Sequence, residues 1–486
     1  MSERQPRRGG EPGPRHHHRP RSRVSPNNPR LVALDVLLAV ERDDAYANLL
    51  LRPRLREAGI EGPDAAFATE LTYGTLRLSG LYDEIIEIAA NRPIDEIDLV
   101  ARNSLRLGAH QILTMRTKLH AAVNETVTIA GVRGSRGATG FVNAILRKIS
   151  SRELDQWRDE VAAKYDGEVE RLAALESHPL WIARALHDAL GAEGRTHEIA
   201  AALRTNNDNP AVQLVALPGF SQRDELAEQY PQLSVDAASP VALQLAGGDP
   251  LDLDEVRRGT VRVQDAGSQL AALALSRVES LQPGMRILDL CAGPGGKTAL
   301  LAAEAMLAGA EIIANEVTPA RAGLVREALQ PLTDATNRIE VTELDGREYA
   351  DQPNSYDRVL VDAPCSGLGA LRRRPEARWR KRASDIADLN LLQEELLAAA
   401  ITATRPGGVV AYVTCSPHLA ETAAIVRRVL RQHRGEMLDT VAVCRELSPT
   451  LDLAERQLGD GTVTQLWPHR HGTDAMFIAL IRKPAK

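Results

Sequence analysis

The stretch Asp289-Leu290-Cys291-Ala292-Gly293-Pro294-Gly295-Gly296-Lys297-Thr298 restricts the possible folds of this chain more than any other. The apolar run Ile287-Leu288-Asp289-Leu290 ends abruptly in it, and Ala299-Leu300-Leu301-Ala302-Ala303 follows with helical character. Strand, Gly-rich loop and helix N-terminus in this order suit a nucleotide-like ligand, because glycines admit close backbone approach and the helix end offers free N–H donors. A Walker A phosphate loop would need glycine at 291, where the chain has Cys291. The G-x-G-x-x-G dinucleotide pattern also fails, since the glycines stand at 293, 295 and 296. What remains is a nucleoside-type cofactor whose ribose is held by an acid about 20 residues further on. Glu316 occupies that place, closing the run Glu311-Ile312-Ile313-Ala314-Asn315.

A chain of 486 residues exceeds one hydrophobic core and is expected to form several domains. Residues 1–26 combine Pro, Gly, Arg and His16-His17-His18 with almost nothing apolar, and are read as a disordered basic tail. From Asn28-Pro29 the text becomes amphipathic, and helical spacing recurs through Leu81–Ala90, Leu99–Leu113, Ala121–Val132 and Gly140–Ile149. An all-α domain is therefore expected over 27–150. Residues 151–262, helical to about Leu203 and then strand-like at Ala211–Val215, read as a small connecting α+β module. From 263 to 486 strands and helices alternate, with strands expected at Glu311–Glu316, Ile339–Leu344, Asp357–Asp362, Val409–Thr414, Val441–Val443 and Met476–Ile481. Such alternation implies a doubly wound, Rossmann-like sheet whose ligands lie at the carboxyl ends of its strands.

No signal-peptide pattern or long apolar span is present, so a cytoplasmic protein is expected. The four cysteines have neither metal-ligand spacing nor the number for a disulfide framework, so no metal and reduced thiols are expected. The net charge of -6 hides local basic stretches. Residues 372–382 hold seven positive side chains against one acid, a run that suits phosphate.

Two strands end alike, in Asp362-Ala363-Pro364-Cys365-Ser366 and Thr414-Cys415-Ser416. Buried cysteine commonly packs as a small apolar residue, but paired Cys-Ser steps at strand ends point to one crevice holding two thiols. A thiolate can add to carbon 6 of a pyrimidine and turn carbon 5 into a nucleophile able to accept a methyl group. An acid such as Asp362 would favour that addition by hydrogen bonding to the ring. The residues themselves leave open which cysteine attacks.

The run Val263-Gln264-Asp265-Ala266-Gly267-Ser268-Gln269, the loop 289–298, Asp362–Gly367, Thr414–Ser416 and Pro468–Asp474 together resemble the RNA 5-methylcytosine methyltransferases. The helical region resembles an RNA-binding NusB-like domain, and the pairing resembles the enzymes of that family that act on small-subunit ribosomal RNA. The resemblance implies that S-adenosylmethionine lies against Cys291, Ala292, Gly293, Pro294, Gly295, Gly296 and Lys297, with Glu316 on the ribose, Asp345 on the adenine and Asp362 between cofactor and base. It implies Cys415 as nucleophile and Cys365 as the group that helps to break down the adduct. Two departures stand out: Gly293 replaces the more usual alanine and Glu316 the more frequent aspartate. The partner implied is RNA, with a monomeric protein and no membrane. Arg372, Arg373, Arg374, Arg378, Arg380 and Lys381 are expected to clamp its backbone, and Trp379 either to stack on a base or to pack under the loop. Transfer RNA is the alternative substrate, and a non-catalytic RNA-binding factor the alternative function.

Overall fold

The computed structural model describes residues 25 and 27–485 except 116 and 337. The basic tail expected over 1–26 lies outside the described residues apart from Ser25. Seven helices follow, at Pro29–Arg42, Ala47–Glu57, Gly62–Arg77, Ser79–Ala90, Leu99–Leu113, Leu119–Arg133 and Arg136–Ile149. The first starts where the sequence suggests: the Asn28 side chain accepts from the Arg30 and Leu31 amides, and Pro29 occupies a position that needs no donor. Its apolar face, from Leu31 to Val40, packs with Leu51, Leu55 and Leu71 into one core. A second core gathers Tyr82, Ile85, Leu105, Val142 and Leu146 and extends to Trp157.

The connecting region continues with helices at Leu154–Ala162, Glu168–Leu175, Leu180–Gly191 and Ile199–Thr205. It then forms β1 (Val212–Ala216), β2 (Leu233–Val235), β3 (Ala242–Leu245) and β4 (Val261–Val263). These make an antiparallel sheet in the order β2-β3-β1-β4. The chain leaves β4 directly into helix Ala266–Arg277, where Asp265 caps the Gly267 amide.

The third region holds β5 (Arg286–Asp289), β6 (Glu311–Asn315), β7 (Ile339–Thr342), β8 (Tyr356–Asp362) and β9 (Thr404–Thr414), followed by β10 (Glu436–Met437), β11 (Arg456–Leu458), β12 (Gly461–Gln465) and β13 (Phe477–Arg482). Its nine-stranded sheet runs β11-β12-β13-β9-β8-β5-β6-β7, with β10 paired to β13. The β7-β6-β5-β8-β9 portion is parallel and β13 lies antiparallel to β9. Both faces are covered: Ile287, Leu300, Ile312 and Leu360 belong to one apolar layer, and Leu288, Val359, Val361 and Tyr412 to the other. This two-sided burial explains the near-continuous apolar runs of the central strands. From β5 the chain steps to β6 and β7 on one side and then crosses back to β8 on the other, so the crevice opens at the carboxyl ends of these strands.

One expected strand is corrected. Val441–Val443 lies in a helix, Thr440–Leu447. Its valines read locally as strand, but Asp439 accepts from the Ala442 amide, and Val441 and Cys444, three apart, are both buried in the core.

Candidate active site

The cofactor and catalytic positions expected from the sequence belong to strand ends or the loops just beyond them, except Gly296 and Lys297, which open the helix after the glycine loop. The glycine loop turns out of β5 into helix Gly296–Ala308. Gly295 adopts φ of 102°, a conformation open to glycine, and a side chain there would collide with Ala328. Thr298 donates to Asp289 at 2.7 Å, tying the helix start back to the strand. Burial pushes the Asp289 carboxyl up to about 7. Burial, followed by the charges of Asp289 and Asp362, raises the Cys291 thiol well above its ordinary range.

Glu316, 3 % exposed, follows β6 and turns its carboxylate to the loop. It accepts from the Gly293 amide at 3.2 Å and the Thr318 amide at 3.0 Å. Arg321 reaches across both residues, donating to the Gly293 carbonyl at 2.5 Å and lying 3.3 Å from Glu316. A Cβ on Gly293 would lie deep inside the contact radius of the Glu316 carboxylate. The two departures noted in the sequence are therefore one spatial feature, in which the missing methyl makes room for the longer acid. Asp345, just after β7, accepts from the Arg347 amide at 3.0 Å and pairs with its guanidinium at 2.6 Å, which holds its carboxyl below the usual range.

These groups fit S-adenosylmethionine: a loop with glycine at 293, 295 and 296, a helix N-terminus with no side-chain cap and a buried acid against the loop lie together. Bound there, the cofactor would meet residues 291–297 and Glu316.

On the other side of the crevice, Lys297 donates to Asp362 at 2.8 Å. Burial opposes the lysine charge, but Asp362 outweighs it and holds the ammonium above the ordinary lysine range. Lys297, expected from the sequence at the cofactor, is paired in the structure with Asp362. The two thiols meet beyond it, with Cys365 Sγ 3.3 Å from Cys415 Sγ. Their strands are adjacent and in register as far as Asp362 and Val413. The pair shares one interaction and splits: the hydrogen bond from Cys365 lowers the Cys415 thiol, while the same bond, together with burial, raises Cys365 well above its usual range.

The basic run requires a correction. Arg372 is buried, donating to Asp474 at 2.9 Å and to the Gly472 carbonyl at 2.9 Å, and Arg373 bridges Asp265 and Asp474 at 2.8 Å each. Arg378 is fully buried and donates to the carbonyls of Arg77, Ser177 and Asn206 and to the Asn207 side chain. Arg380 donates to the carbonyls of Asp44, Val40 and Ala45. Arg378 and Arg380 join the third region to the earlier ones, Arg372 and Arg373 are tied within the third region, and none of the four forms an open phosphate clamp. Only Arg374 and Lys381, of the six expected, keep access to solvent without such ties. Trp379 is 46 % exposed; its ring lies against Gly80 and lines a cavity of about 550 Å³ with Tyr46 and Arg106.

Several residues escaped sequence reading. Asn315 at the end of β6 donates to the Leu290 and Leu344 carbonyls and accepts from the Leu344 amide, lacing three strand ends together. Asp265 and Asp474, quoted only as parts of motifs, hold the segment after Cys365 through Arg372 and Arg373. Glu421 is buried beneath both cysteine loops. None of these carries a local signal, because each works through a partner distant in sequence. His469 pairs with Glu198 at 2.8 Å, and His471 accepts from the Trp467 amide at 2.8 Å, both as structural hydrogen bonds.

Residues 277–482 match the family described as 16S rRNA methyltransferase RsmB/F, and residues 27–151 match the NusB family. A protein of Mycobacterium tuberculosis is 48% identical over 469 residues, covering 96% of this chain and 99% of that one. Ribosomal RNA small subunit methyltransferase B of Pseudomonas putida is 31% identical, with 94% and 99% covered. Among solved structures, that of PH0851 aligns with a TM-score of 0.75 at 22% identity over 95% of this chain and 99% of that one. The structure of NSun6 from Pyrococcus horikoshii with SFG, an S-adenosylmethionine analogue, aligns with a TM-score of 0.51 at 17% identity over 62% of this chain and 98% of that one.

Proposed function

Because the chain belongs to the RsmB/F family of RNA methyltransferases, which use S-adenosylmethionine, we propose that it methylates carbon 5 of a cytosine in small-subunit ribosomal RNA. The observation that carries the cytosine reading is the thiol pair, 3.3 Å apart, beside the Lys297–Asp362 ion pair. A methyltransferase acting on nitrogen or on a ribose oxygen has no use for two thiols at one strand crevice.

In this reading Cys415 Sγ forms a bond to carbon 6 of the cytosine, and the ring electrons shift toward carbon 5. Asp362, steadied by Lys297, would hydrogen-bond the ring at nitrogen 3, and a proton lent to that nitrogen by the Lys297–Asp362 pair would leave the adduct a neutral enamine and return to the pair as the adduct breaks down. Bound S-adenosylmethionine supplies the methyl group to carbon 5. The carbon-5 proton must then leave as the carbon 6–sulfur bond breaks, returning Cys415 as thiolate. Cys365, which holds its own proton in the resting pair, would first lose that proton to solvent and then receive the one from carbon 5, directly or through water. The helical region supplies recognition surface, and the protein acts as a monomer. The test is bisulfite sequencing of small-subunit and transfer RNA after incubation with purified protein and S-adenosylmethionine. A new protected cytosine in the ribosomal RNA supports the proposal; protection confined to transfer RNA, or none in either, contradicts it.

A further inference from the structure

The β8–β9 ladder fixes the approach to the thiols but not the thiols themselves. Its last paired residues are Asp362 and Val413, and both cysteines lie beyond it. At the next residue after each cysteine the two loops are joined again, through Glu421. Its carboxyl accepts from the Ser366 amide at 2.7 Å, the Ser366 hydroxyl at 2.5 Å and the Ser416 hydroxyl at 2.7 Å. Gln393 donates to the same carboxyl at 3.2 Å and to the Pro364 carbonyl at 2.8 Å. The two serine hydroxyls are 3.0 Å apart. Glu421 has no exposed surface, so it cannot touch RNA. All four of these donors are neutral, and a carboxyl taken out of water against neutral donors is a costly way to fill space that an apolar side chain could occupy. What the acid does, and an apolar side chain could not, is accept from both loops at once.

We propose that Glu421 is a positioning residue that holds Cys365 and Cys415 at the spacing adduct breakdown requires, acting through Ser366 and Ser416. The inference rests on the two-cysteine reading of the reaction. It explains why each thiol is followed by serine: the hydroxyls are the handles by which one buried acid grips both loops.

A trivalent arsenical tests the spacing without RNA, because phenylarsine oxide bonds two thiols at once, releasing water, only when the sulfurs are close. Full-length protein should capture one equivalent, and Cys365→Ala should not. In Glu421→Ala, arsenical affinity should fall by about tenfold or more as the second sulfur loses its effective concentration. S-adenosylmethionine affinity should stay unchanged by calorimetry. The methylation kcat should fall by about a hundredfold, the scale of a misplacement of about 1 Å, with the KM for RNA unaltered. Arsenical capture and kcat both equal to the unmodified protein would overturn the proposal. Should Glu421→Ala no longer bind S-adenosylmethionine, the double variant Ser366→Ala/Ser416→Ala decides by the same two readouts. Methylation that survives Cys415→Ala would instead overturn the underlying cysteine reading, and the arsenical result would still report on Glu421.

Discussion

The glycine loop at 289–298 and the basic run at 372–382 are comparably conspicuous in the sequence, and the fold uses them in opposite ways. The loop turns from β5 into the helix Gly296–Ala308, the strand–loop–helix order its spacing implies. In the basic run, Arg372, Arg373, Arg378 and Arg380 are spent on carboxylates and carbonyls inside the molecule. A strand–loop–helix motif carries its geometry with it, because glycine conformation and helix direction are local properties. A charge cluster carries none, since a guanidinium binds a phosphate, a carboxylate or a row of carbonyls equally well. Which it meets depends on what the rest of the chain brings near.

The sharpest challenge to this contrast is Arg378→Ala. It strands four acceptors, three of them buried carbonyls, and at about 1–3 kcal/mol for a buried group left unpaired, a net loss of about 3 kcal/mol after relaxation is expected. Burial, and then Arg77, lower its pKa to about 9, so the guanidinium remains charged at neutral pH and its grip persists there. Denaturant unfolding should show the loss, with S-adenosylmethionine affinity unchanged in the folded fraction. An unaltered midpoint would mean that the buried arginine does not tie the regions together.

Next in size is the steric link inside the loop. Gly293→Ala should weaken S-adenosylmethionine binding by about tenfold, or about 1.4 kcal/mol, by pushing the Glu316 carboxylate aside. Adding Glu316→Asp should restore most of that loss, because the shorter acid vacates the space the methyl needs. Losses that simply add, measured by calorimetry, would show the two positions to be independent.

The thiols offer a comparison of the same kind at smaller scale. Cys415 is shifted below the ordinary cysteine value of 9.0, so its thiolate persists to lower pH and its alkylation rate should rise with a midpoint below 9.0. Cys365 is shifted up, so it stays protonated through that range and should alkylate only at higher pH. Peptide mass mapping across a pH series would separate them, and coincident profiles would contradict the asymmetry.

The smallest effect concerns the cations left facing solvent. Replacing Arg374 and Lys381 by alanine should reduce RNA affinity modestly and lower the salt-dependence slope by about 0.7 per lost phosphate contact to single-stranded RNA. No change in slope would leave even these two outside the RNA interface.

The alternating pattern from 263 onward made the parallel sheet legible, and the apolar helical spacing did so for the N-terminal region. Both are periodicities short enough to survive in one sequence. The Thr440–Leu447 helix was misread because adjacent valines outweigh a capping aspartate when tertiary burial is unknown. The antiparallel additions β10, β11 and β12 went unread because they are two to five residues long. At the site, Cys365, Cys415 and Asp362 could be read from strand ends. The supports could not, since Glu421 grips residue 366, 55 positions away, and Asp474 pairs with Arg372, 102 away.

The central claim is that two thiols 3.3 Å apart divide one reaction, Cys415 attacking and Cys365 helping to release the product. The direct measurement is a denaturing gel of each alanine variant after incubation with RNA and S-adenosylmethionine. Cys365→Ala should accumulate a slowly migrating, denaturant-resistant protein–RNA complex, because attack proceeds and breakdown stalls. Cys415→Ala should form none and transfer no methyl group, while binding S-adenosylmethionine normally. A trapped complex in Cys415→Ala and none in Cys365→Ala would reverse the assignment and make Cys365 the attacking thiol.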